Sequence, residues 1–600
     1  MSKVKTLPPR SKVKVEDTWD LDSLYKSDAA WEKDFHKLEG QIATYETFRG
    51  RLGESAKVLA ECLQFDEKFE RLGERLGTYA FLKTTEDQGD STFQRMQGRF
   101  QHLATNAAQA ASYIRPEIMA IPDATMQKFL SAKELAPFKL MLERILRYKR
   151  HTLSDKEERL LAMQGEMASA AGKAFRQLLD ADLKFGNVKD ENGEEIELSN
   201  ATFIQLLHSP SRKVREKAFR QYYSVIAGHE NTLAATYHGS VQRDIYYAKA
   251  RNHASALESS LFEDNVPVSV YDNLIASVRQ GLPAVHRFYE LRRKKMKLKD
   301  IHHYDTYVPI IADLEKKTPW NKAVKQILEA LEPLGSEYTS ALAAGFEKRW
   351  CDRYPNKGKQ SGAFSCGSYD GEPYILMNYK PEVLNDVFTL AHEAGHSMHT
   401  FFSKKQQPFT YYNYTIFVAE VASTFNEQLL TKYLLDRAKT KAERAFLLNK
   451  ELDSIRSTIV RQTMFAEFEK LSHALAESGE PLTVQAIKET YRKLLNDYFG
   501  PDFIVDNELD LECFRIPHFY RAFYVYKYAT GLSAAIALSR RVLNGGKQEL
   551  EAYLGFLKGG CSKFPLDLLR DAGVDMQEPA PVNAAMQQFE QMTAELEDLL

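Results

Sequence analysis

The sequence has few cysteines, and none of them belongs to a recognisable pair. Five cysteines occur among 600 residues, an odd number at wide spacings and without a CxxC motif. This pattern argues against both a disulfide framework and a cysteine zinc site. The first twenty residues also lack an apolar stretch of signal-peptide length, so we expect a cytoplasmic protein. The cysteines are Cys62, Cys351, Cys366, Cys513 and Cys561.

Long apolar runs and an excess of one charge are absent as well. No run of about 18 apolar residues occurs, so the sequence predicts no membrane span. The 80 basic and 82 acidic residues leave a net charge of -2, which gives no electrostatic footprint for nucleic acid or for an anionic membrane. Proline and glycine are also scarce, with 21 and 30 residues against 30 Tyr and 34 Phe. Because that ratio is typical of ordered chains, we expect a folded protein.

Apolar residues recur at intervals of three and four over most of the chain, as between Ala60 and Leu82. This periodicity predicts a mostly α-helical fold. A chain of this length exceeds a single hydrophobic core, so more than one lobe is expected. We predict an N-terminal helical lobe over residues 1–200 and a catalytic helical domain over 201–600. Within the latter, 360–430 carries a metal site and 511–535 an aromatic substrate-binding segment.

The composition changes between Ser361 and Tyr379, where glycines punctuate short aromatic and β-branched runs. This pattern predicts a small antiparallel sheet directly before the helix that carries the chemistry. Such a sheet is either a plain connecting hairpin or an edge strand that pairs with the backbone of an extended peptide.

The segment Pro381–Lys404 contains an HExxH motif on a largely apolar helix, and Pro381 suits its first turn. His392 and His396 lie four residues apart, which places them on one face about 6 Å apart along the axis. Both imidazoles therefore reach one tetrahedral ion. Glu393 projects beside the ion, where it can deprotonate a water molecule. Gly395 has no side chain, which suggests that another backbone packs closely there.

A catalytic zinc site needs a third protein ligand and one open position. His399 shares the helix face, but three ligands from one straight helix would be strained. Glu420, on a second apolar helix 24 residues beyond His396, is the favoured third ligand, and His399 stays the alternative. Ser423 and Glu427 share the face of Glu420 and could fix the histidine tautomers as hydrogen-bond acceptors.

An aromatic segment, IPHFYRAFYVYKYATG, spans Ile516–Gly531. Its plain interpretation is an aromatic core helix. The HExxH motif adds a second interpretation, because its pattern is that of metalloproteases. An oxyanion develops when a peptide bond is hydrolysed, and a Tyr hydroxyl or His N–H aimed at it stabilises it. We therefore predict His518, Tyr524 and Tyr526 as candidate donors, without assigning which of them faces the metal.

Several motifs together resemble one known family. They are GAFSCGSYDGEPYILMNY, LAHEAGHSMH, AEVASTFNE and IPHFYRAFYVYKYATG, and the likeness extends over nearly the whole chain. The sequence is similar to the oligoendopeptidase F group of the thimet oligopeptidase family of zinc metallopeptidases. The resemblance implies a mostly helical fold split by a deep channel, with zinc on the channel floor. It also implies short oligopeptide substrates and an intracellular setting.

The resemblance assigns roles residue by residue. It implies one zinc ion held by His392, His396 and Glu420, with Glu393 as general base. It implies oxyanion donors at His518 and at a tyrosine among Tyr524 and Tyr526. Phe523 stands where thimet-type relatives have a tyrosine, so the register of these donors is open.

The sequence thus predicts a zinc metalloendopeptidase that hydrolyses internal bonds of short peptides and has neither nucleic acid nor a membrane as partner. Two alternatives stay open at this point. One is a helical HExxH metallocarboxypeptidase, and the other is a non-enzymatic peptide-binding scaffold. The sequence does not specify an oligomeric state.

Overall fold

The computed structural model describes residues 6–311 and 317–600. These residues form two compact units, each built from three chain segments. Unit 1 comprises 6–150, 317–433 and 538–573, and unit 2 comprises 151–311, 434–537 and 574–600. Two bounds of the units fall inside helices, at 433/434 and 537/538. The division at residue 200 that the sequence suggested stays a prediction, as does the channel.

Helices dominate the described part of the chain, which confirms the predicted fold class. In chain order they are α1 Asp28–Gln41, α2 Ala56–Glu86, α3 Ser91–Ala111, α4 Ile114–Ala120, α5 Asp123–Leu130, α6 Lys139–Arg147, α7 Asp155–Met163, α8 Gly165–Ala168, α9 Ala170–Gln177, α10 Asn200–Leu207, α11 Arg212–Ala227, α12 Glu230–Ala250, α13 Ala256–Phe262, α14 Val268–Lys295, α15 Trp320–Ala330, α16 Gly335–Glu347, α17 Leu384–Gln406, α18 Phe409–Tyr412, α19 Ile416–Asp436, α20 Lys441–Ile455, α21 Arg461–Glu477, α22 Val484–Phe499, α23 Tyr526–Asn544, α24 Lys547–Lys558, α25 Pro565–Asp571 and α26 Ala580–Leu599.

The strands are short and form three small sheets among the described residues. They are β1 Asn187–Lys189, β2 Glu195–Glu197, β3 Ile301–His302, β4 Cys351–Asp352, β5 Phe364–Cys366, β6 Tyr374–Leu376 and β7 Phe503–Ile504. In unit 2, β1 and β2 form an antiparallel hairpin, and β3 pairs with β7 in parallel. In unit 1 the order is β4-β6-β5, with β5 antiparallel and β4 parallel to β6. The predicted antiparallel sheet beside the HExxH helix is therefore confirmed, and β4 is an addition to it.

Helix α17 carries the HExxH motif and lies in the core of unit 1. It begins at Leu384, because the backbone of Val383 is extended. The prediction that Pro381 occupies the first turn is therefore wrong. Pro381 lies before the helix, where its carbonyl accepts the N–H of Thr318.

Helices α19 and α24 cover the buried side of α17. The ring of Phe425 on α19 stacks on Tyr553 of α24, with centroids 3.9 Å apart. His399 of α17 lies 5.3 Å from the ring of Phe556 on α24. The motif is thus held by helices that follow it in the chain.

None of the described helices combines the length and the apolar character that a bilayer crossing requires.

Candidate metal centre

Three of the predicted ligands meet in unit 1. Glu420 Oε2 lies 3.3 Å from His392 Nε2 and 3.7 Å from His396 Nε2. The two imidazole rings stand nearly perpendicular, with centroids 4.9 Å apart. Within the described ranges 6–311 and 317–600, this is the group of side chains whose donor atoms all lie within 4.8 Å of one another, as a shared metal ion requires. Two nitrogens and a carboxylate oxygen are typical ligands of a catalytic zinc site.

Close packing of α17 on α19 brings Glu420 to the histidines. A Cβ added at Gly395 would lie 2.6 Å from the carbonyl oxygen of Ala422 and 2.6 Å from Cα of Ser423. Only a glycine permits this distance, as the sequence suggested. Asn426 of α19 reinforces the contact by donating to the carbonyl of Ala391 at 3.1 Å.

Each candidate ligand has a further partner. His392 Nδ1 lies 2.7 Å from Glu427 Oε1, which is the arrangement predicted for Glu427. The imidazole of His396 is hydrogen-bonded to the backbone carbonyl of Ala419. Ser423 Oγ donates to Glu420 Oε2 at 3.1 Å, so it orients the carboxylate and not a histidine, contrary to the prediction. Such contacts fix ring and carboxylate orientation around metals.

The two histidines of the centre differ in pKa. Burial disfavours the charged form of His392, but hydrogen bonds to Glu420 and Glu427 raise its pKa to about 10. Burial and the neighbouring His392 charge lower the pKa of His396 to about 4. Burial would raise the pKa of Glu420, yet the two histidines lower it to about 2.

Glu393 points towards β5 and is almost fully buried. Burial is the main reason that its pKa is raised, to about 7, while the backbone N–H of Ser365 on β5 opposes that rise by a hydrogen bond. Ser365 Oγ is also hydrogen-bonded to Ser397 of α17 at 2.8 Å. The edge strand and the HExxH helix are therefore tied together beside Glu393.

His399, the alternative third ligand, is not part of the metal group. Its ring is buried and stacks on Tyr414 with centroids 3.7 Å apart. Burial lowers the pKa of His399 to about 3, so it is neutral. The hydroxyl of Tyr414 bonds to Thr400 and to the carbonyl of His396. Tyr414 was not predicted from the sequence, although it lies only two residues before the helix that carries Glu420.

The aromatic segment lies in unit 2, and it is not one continuous helix, because α23 begins only at Tyr526. The ring of His518 is parallel to that of Tyr524 with centroids 6.3 Å apart, and both side chains reach solvent. Tyr528, which was not among the predicted donors, packs edge-on against Tyr524 with ring centroids 5.3 Å apart. Tyr526 is fully buried, with its ring 5.2 Å from Tyr271. That burial argues against contact with a substrate, and the role of Tyr526 stays a prediction.

The fold and the site together define a helical protein with an HExxH metal centre. A family model described as Peptidase family M3 matches residues 205–588, and one described as Oligopeptidase F matches residues 117–185. The chain belongs to peptidase family M3 and is a metallopeptidase.

Individual relatives support this assignment over the full length. Oligopeptidase PepF of Bacillus subtilis is 44% identical over 600 residues, which cover 100% of this chain and 89% of the relative. A crystal structure from Chlamydophila abortus matches with a TM-score of 0.95 and 36% identity, covering 99% of this chain and 100% of the other. The crystal structure of oligoendopeptidase-F from Enterococcus faecium matches with a TM-score of 0.73 and 35% identity, covering 95% and 99% of the two chains.

Proposed function

We propose that this chain is a zinc metalloendopeptidase that hydrolyses internal peptide bonds of short oligopeptides. The observation that carries the proposal is the meeting of His392, His396 and Glu420 beside the buried carboxyl of Glu393. The names of the relatives, an oligopeptidase and an oligoendopeptidase, support the substrate class and the internal position of the cleaved bond.

The donor atoms of the centre fit zinc. Two imidazole nitrogens and one carboxylate oxygen leave a fourth tetrahedral position open, as in other catalytic zinc sites. Zinc bound there would supply a Lewis acid that polarises the scissile carbonyl and makes a water molecule acidic near neutral pH. Glu427 and the carbonyl of Ala419 keep the imidazoles of His392 and His396 in their orientations.

Glu393 moves the proton in the proposed reaction. Its carboxylate accepts a proton from the attacking water and delivers it to the nitrogen of the leaving amine. Burial raises the pKa of this carboxyl, and a higher pKa makes a carboxylate a stronger base.

His518 and Tyr524 are the proposed donors to the oxyanion. Burial and the charges of Arg176 and Arg521 lower the pKa of His518. A neutral imidazole keeps one N–H for donation, and the hydroxyl of Tyr524 supplies a second donor. Preorganised donors of this kind stabilise the charge that develops on the carbonyl oxygen.

The substrate backbone is proposed to lie along β5. This strand pairs with β6 on one side and is the edge of its sheet. Its Ser365 N–H is directed at Glu393, so the free edge passes the proposed base. Pairing with a strand edge uses backbone atoms and is tolerant of peptide sequence.

The substitution Glu393→Gln tests the mechanism. It keeps the three ligands and removes the base, so we expect zinc content unchanged and kcat lower by about 10²–10⁴-fold. Zinc content is measured by atomic absorption. Cleavage is measured with an internally quenched peptide. Glu551→Gln, on the exposed face of α24, is the matched control. A zinc-loaded Glu393→Gln variant with near-normal cleavage would refute the mechanism.

The same assay separates the alternatives that the sequence left open. A peptide blocked at both ends is cut by an endopeptidase and resists a carboxypeptidase. Chelation should abolish cleavage and added zinc should restore it. A peptide-binding scaffold would show no metal-dependent turnover at all.

A further inference from the structure

The turn between Arg521 and Val525 contains an unusual backbone conformation. Phe523 has a φ of 56°, in the left-handed region that a bulky side chain rarely occupies. The residue is fully buried, so solvent does not relieve the conformation. Such a residue persists only where its surroundings hold it.

Glu469 on α21 supplies one of those constraints. Its Oε1 accepts the backbone N–H of Phe523 at 2.9 Å, across 54 residues of sequence. The side chain is fully buried, and its Oε2 has no hydrogen-bond partner among the described residues. Burial and the nearby Asp244 raise the pKa of this carboxyl well above its ordinary range. Among the described residues, the N–H of Phe523 is the one hydrogen-bond partner of this carboxyl.

Two rings complete the cage around Phe523. His473 lies 4.6 Å away and Tyr271 lies 5.9 Å away, measured between ring centroids. Neither ring accepts the N–H of Phe523, which is held by Glu469. At the other end of the same peptide group, Ser260 Oγ donates to the carbonyl of Ala522 at 3.3 Å.

The left-handed turn determines where the next side chain points. Tyr524 follows Phe523 directly and lies parallel to His518. Arg521, three residues earlier, covers the Tyr524 ring with its guanidinium 4.0 Å from the centroid. A φ of ordinary sign at Phe523 would turn Tyr524 away from both neighbours.

We propose that Glu469 is a positioning residue of the peptidase reaction, which holds the Phe523 peptide in its left-handed turn and thereby directs Tyr524 to the face of His518. The proposal rests on the proposed function, in which His518 and Tyr524 donate to the oxyanion. Glu469 acts through Tyr524 and, being buried, touches no substrate.

Two substitutions of Glu469 distinguish the effect of its hydrogen-bond acceptor from the effect of its side-chain volume. Glu469→Gln keeps an oxygen acceptor, and Glu469→Met keeps the length and loses the acceptor. We expect Glu469→Met to lower kcat about tenfold or more with KM within about twofold, and Glu469→Gln to stay within about threefold of wild type in both. Zinc content and Tm are measured on the same samples, so that kcat refers to folded, loaded protein.

Glu477 provides a matched control on the same helix. Its carboxyl also accepts a distant backbone N–H, that of Ala256 at 2.7 Å, whereas the hydrogen bond to the 521–525 turn comes from Glu469. Glu477→Met should therefore lower Tm and leave kcat unchanged. If the loss in Glu469→Met were merely structural, both Met variants would behave alike, which would overturn the proposal.

A double substitution tests whether Glu469 acts through Tyr524. In a Tyr524→Phe background, Glu469→Met should lower kcat no further, because the group that it positions is already gone. Additive losses would overturn the proposal. If Glu469→Met does not fold, Glu469→Asp replaces it, because its side chain is one methylene shorter and moves the acceptor away from Phe523. A lowered kcat in Glu469→Asp supports the proposal, and a wild-type kcat overturns it.

Failure of this proposal is distinguishable from failure of the proposed function. Wild-type kcat in Tyr524→Phe would contradict the donor role on which both depend. Wild-type kcat in zinc-loaded Glu469→Met, beside an impaired Tyr524→Phe, would contradict the role of Glu469 alone.

Discussion

At the scale of single residues, the metal centre depends on partners that hold its ligands. His392 lies between two carboxylates, Glu420 on one ring nitrogen and Glu427 on the other. The first is placed to share an ion with His396, and the second fixes which nitrogen faces that ion. The orientation of His392 is therefore set from α19 and not from its own helix.

Glu427→Ala should weaken zinc binding about 10–100-fold, because the ring of His392 loses its acceptor. Glu427→Gln, which keeps an oxygen acceptor, should lose less. Zinc affinity is measured by competition with a chromophoric chelator at pH 7.5. Glu551→Ala serves as a control on the exposed face of α24. Equal affinity in wild type and Glu427→Ala would contradict the role of this contact.

At the scale of elements, the crossing of α17 and α19 depends on one missing side chain. Gly395→Ala places a methyl group 2.6 Å from backbone atoms of Ala422 and Ser423, which cannot move aside as a flexible side chain would. We expect the helices to separate, with weaker zinc binding and a lower Tm. Gly555→Ala on α24 is the control, because nothing lies within 4 Å of its added methyl group. That change should leave zinc binding intact and stabilise the helix by up to about 1 kcal/mol.

Another contact between elements joins α21, α22 and the 507–514 segment in unit 2. Glu512 is buried and accepts from Arg461 and from the hydroxyl of Tyr491, each at 2.6 Å. Burial would raise the pKa of Glu512, but Arg461 and the other cations lower it to about 2. Because the folded pKa lies below the unfolded value, the contribution is complete above pH 4.5 and is lost as the pH falls towards 2.

Glu512→Gln should therefore be less stable than wild type at pH 6 by about 3 kcal/mol, since it leaves a buried arginine uncompensated. The difference in stability between the two proteins should narrow by about 1 kcal/mol at pH 4, because Glu512 of the unfolded wild-type chain takes up a proton there while folded Glu512 stays ionised. Urea unfolding at the two pH values measures both differences. Glu489→Gln, exposed on α22, should show neither. A gap that stays constant with pH would contradict the assigned pKa shift.

The elements also show what the sequence could predict. The four-residue spacing of His392 and His396 and the lack of a side chain at Gly395 can be read within a single helix, because helix pitch determines which residues share a face. The structure agrees with both predictions. The hydrogen bond between His396 and the carbonyl of Ala419 could not be predicted, because every residue has a backbone carbonyl. Glu469 was missed for a similar reason: its partner is a backbone N–H 54 residues away. Strand β4 has only two residues, too few for any periodicity.

At the scale of the whole molecule, zinc should stabilise the chain through its binding energy. An ion that binds only the folded state at 100 times its Kd adds about 2.7 kcal/mol. We expect Tm to rise with zinc concentration in wild type and in His399→Phe, whose ring lies outside the ligand group. Glu420→Ala should show no such rise. Differential scanning calorimetry of the apo and zinc-loaded proteins measures the shift. A zinc response that survives in Glu420→Ala and disappears in His399→Phe would reverse the choice of third ligand.

Helix α24, which covers α17 through Phe556, has a consequence for synthesis. On the ribosome, the HExxH helix emerges about 140 residues before α24 does. At ordinary elongation rates, the part of its apolar side that α24 covers stays exposed for roughly 10–30 s. During that interval the nascent chain exposes an aggregation-prone apolar surface that is buried in the folded protein. We therefore expect translation speed and chaperone supply to affect the yield of active protein.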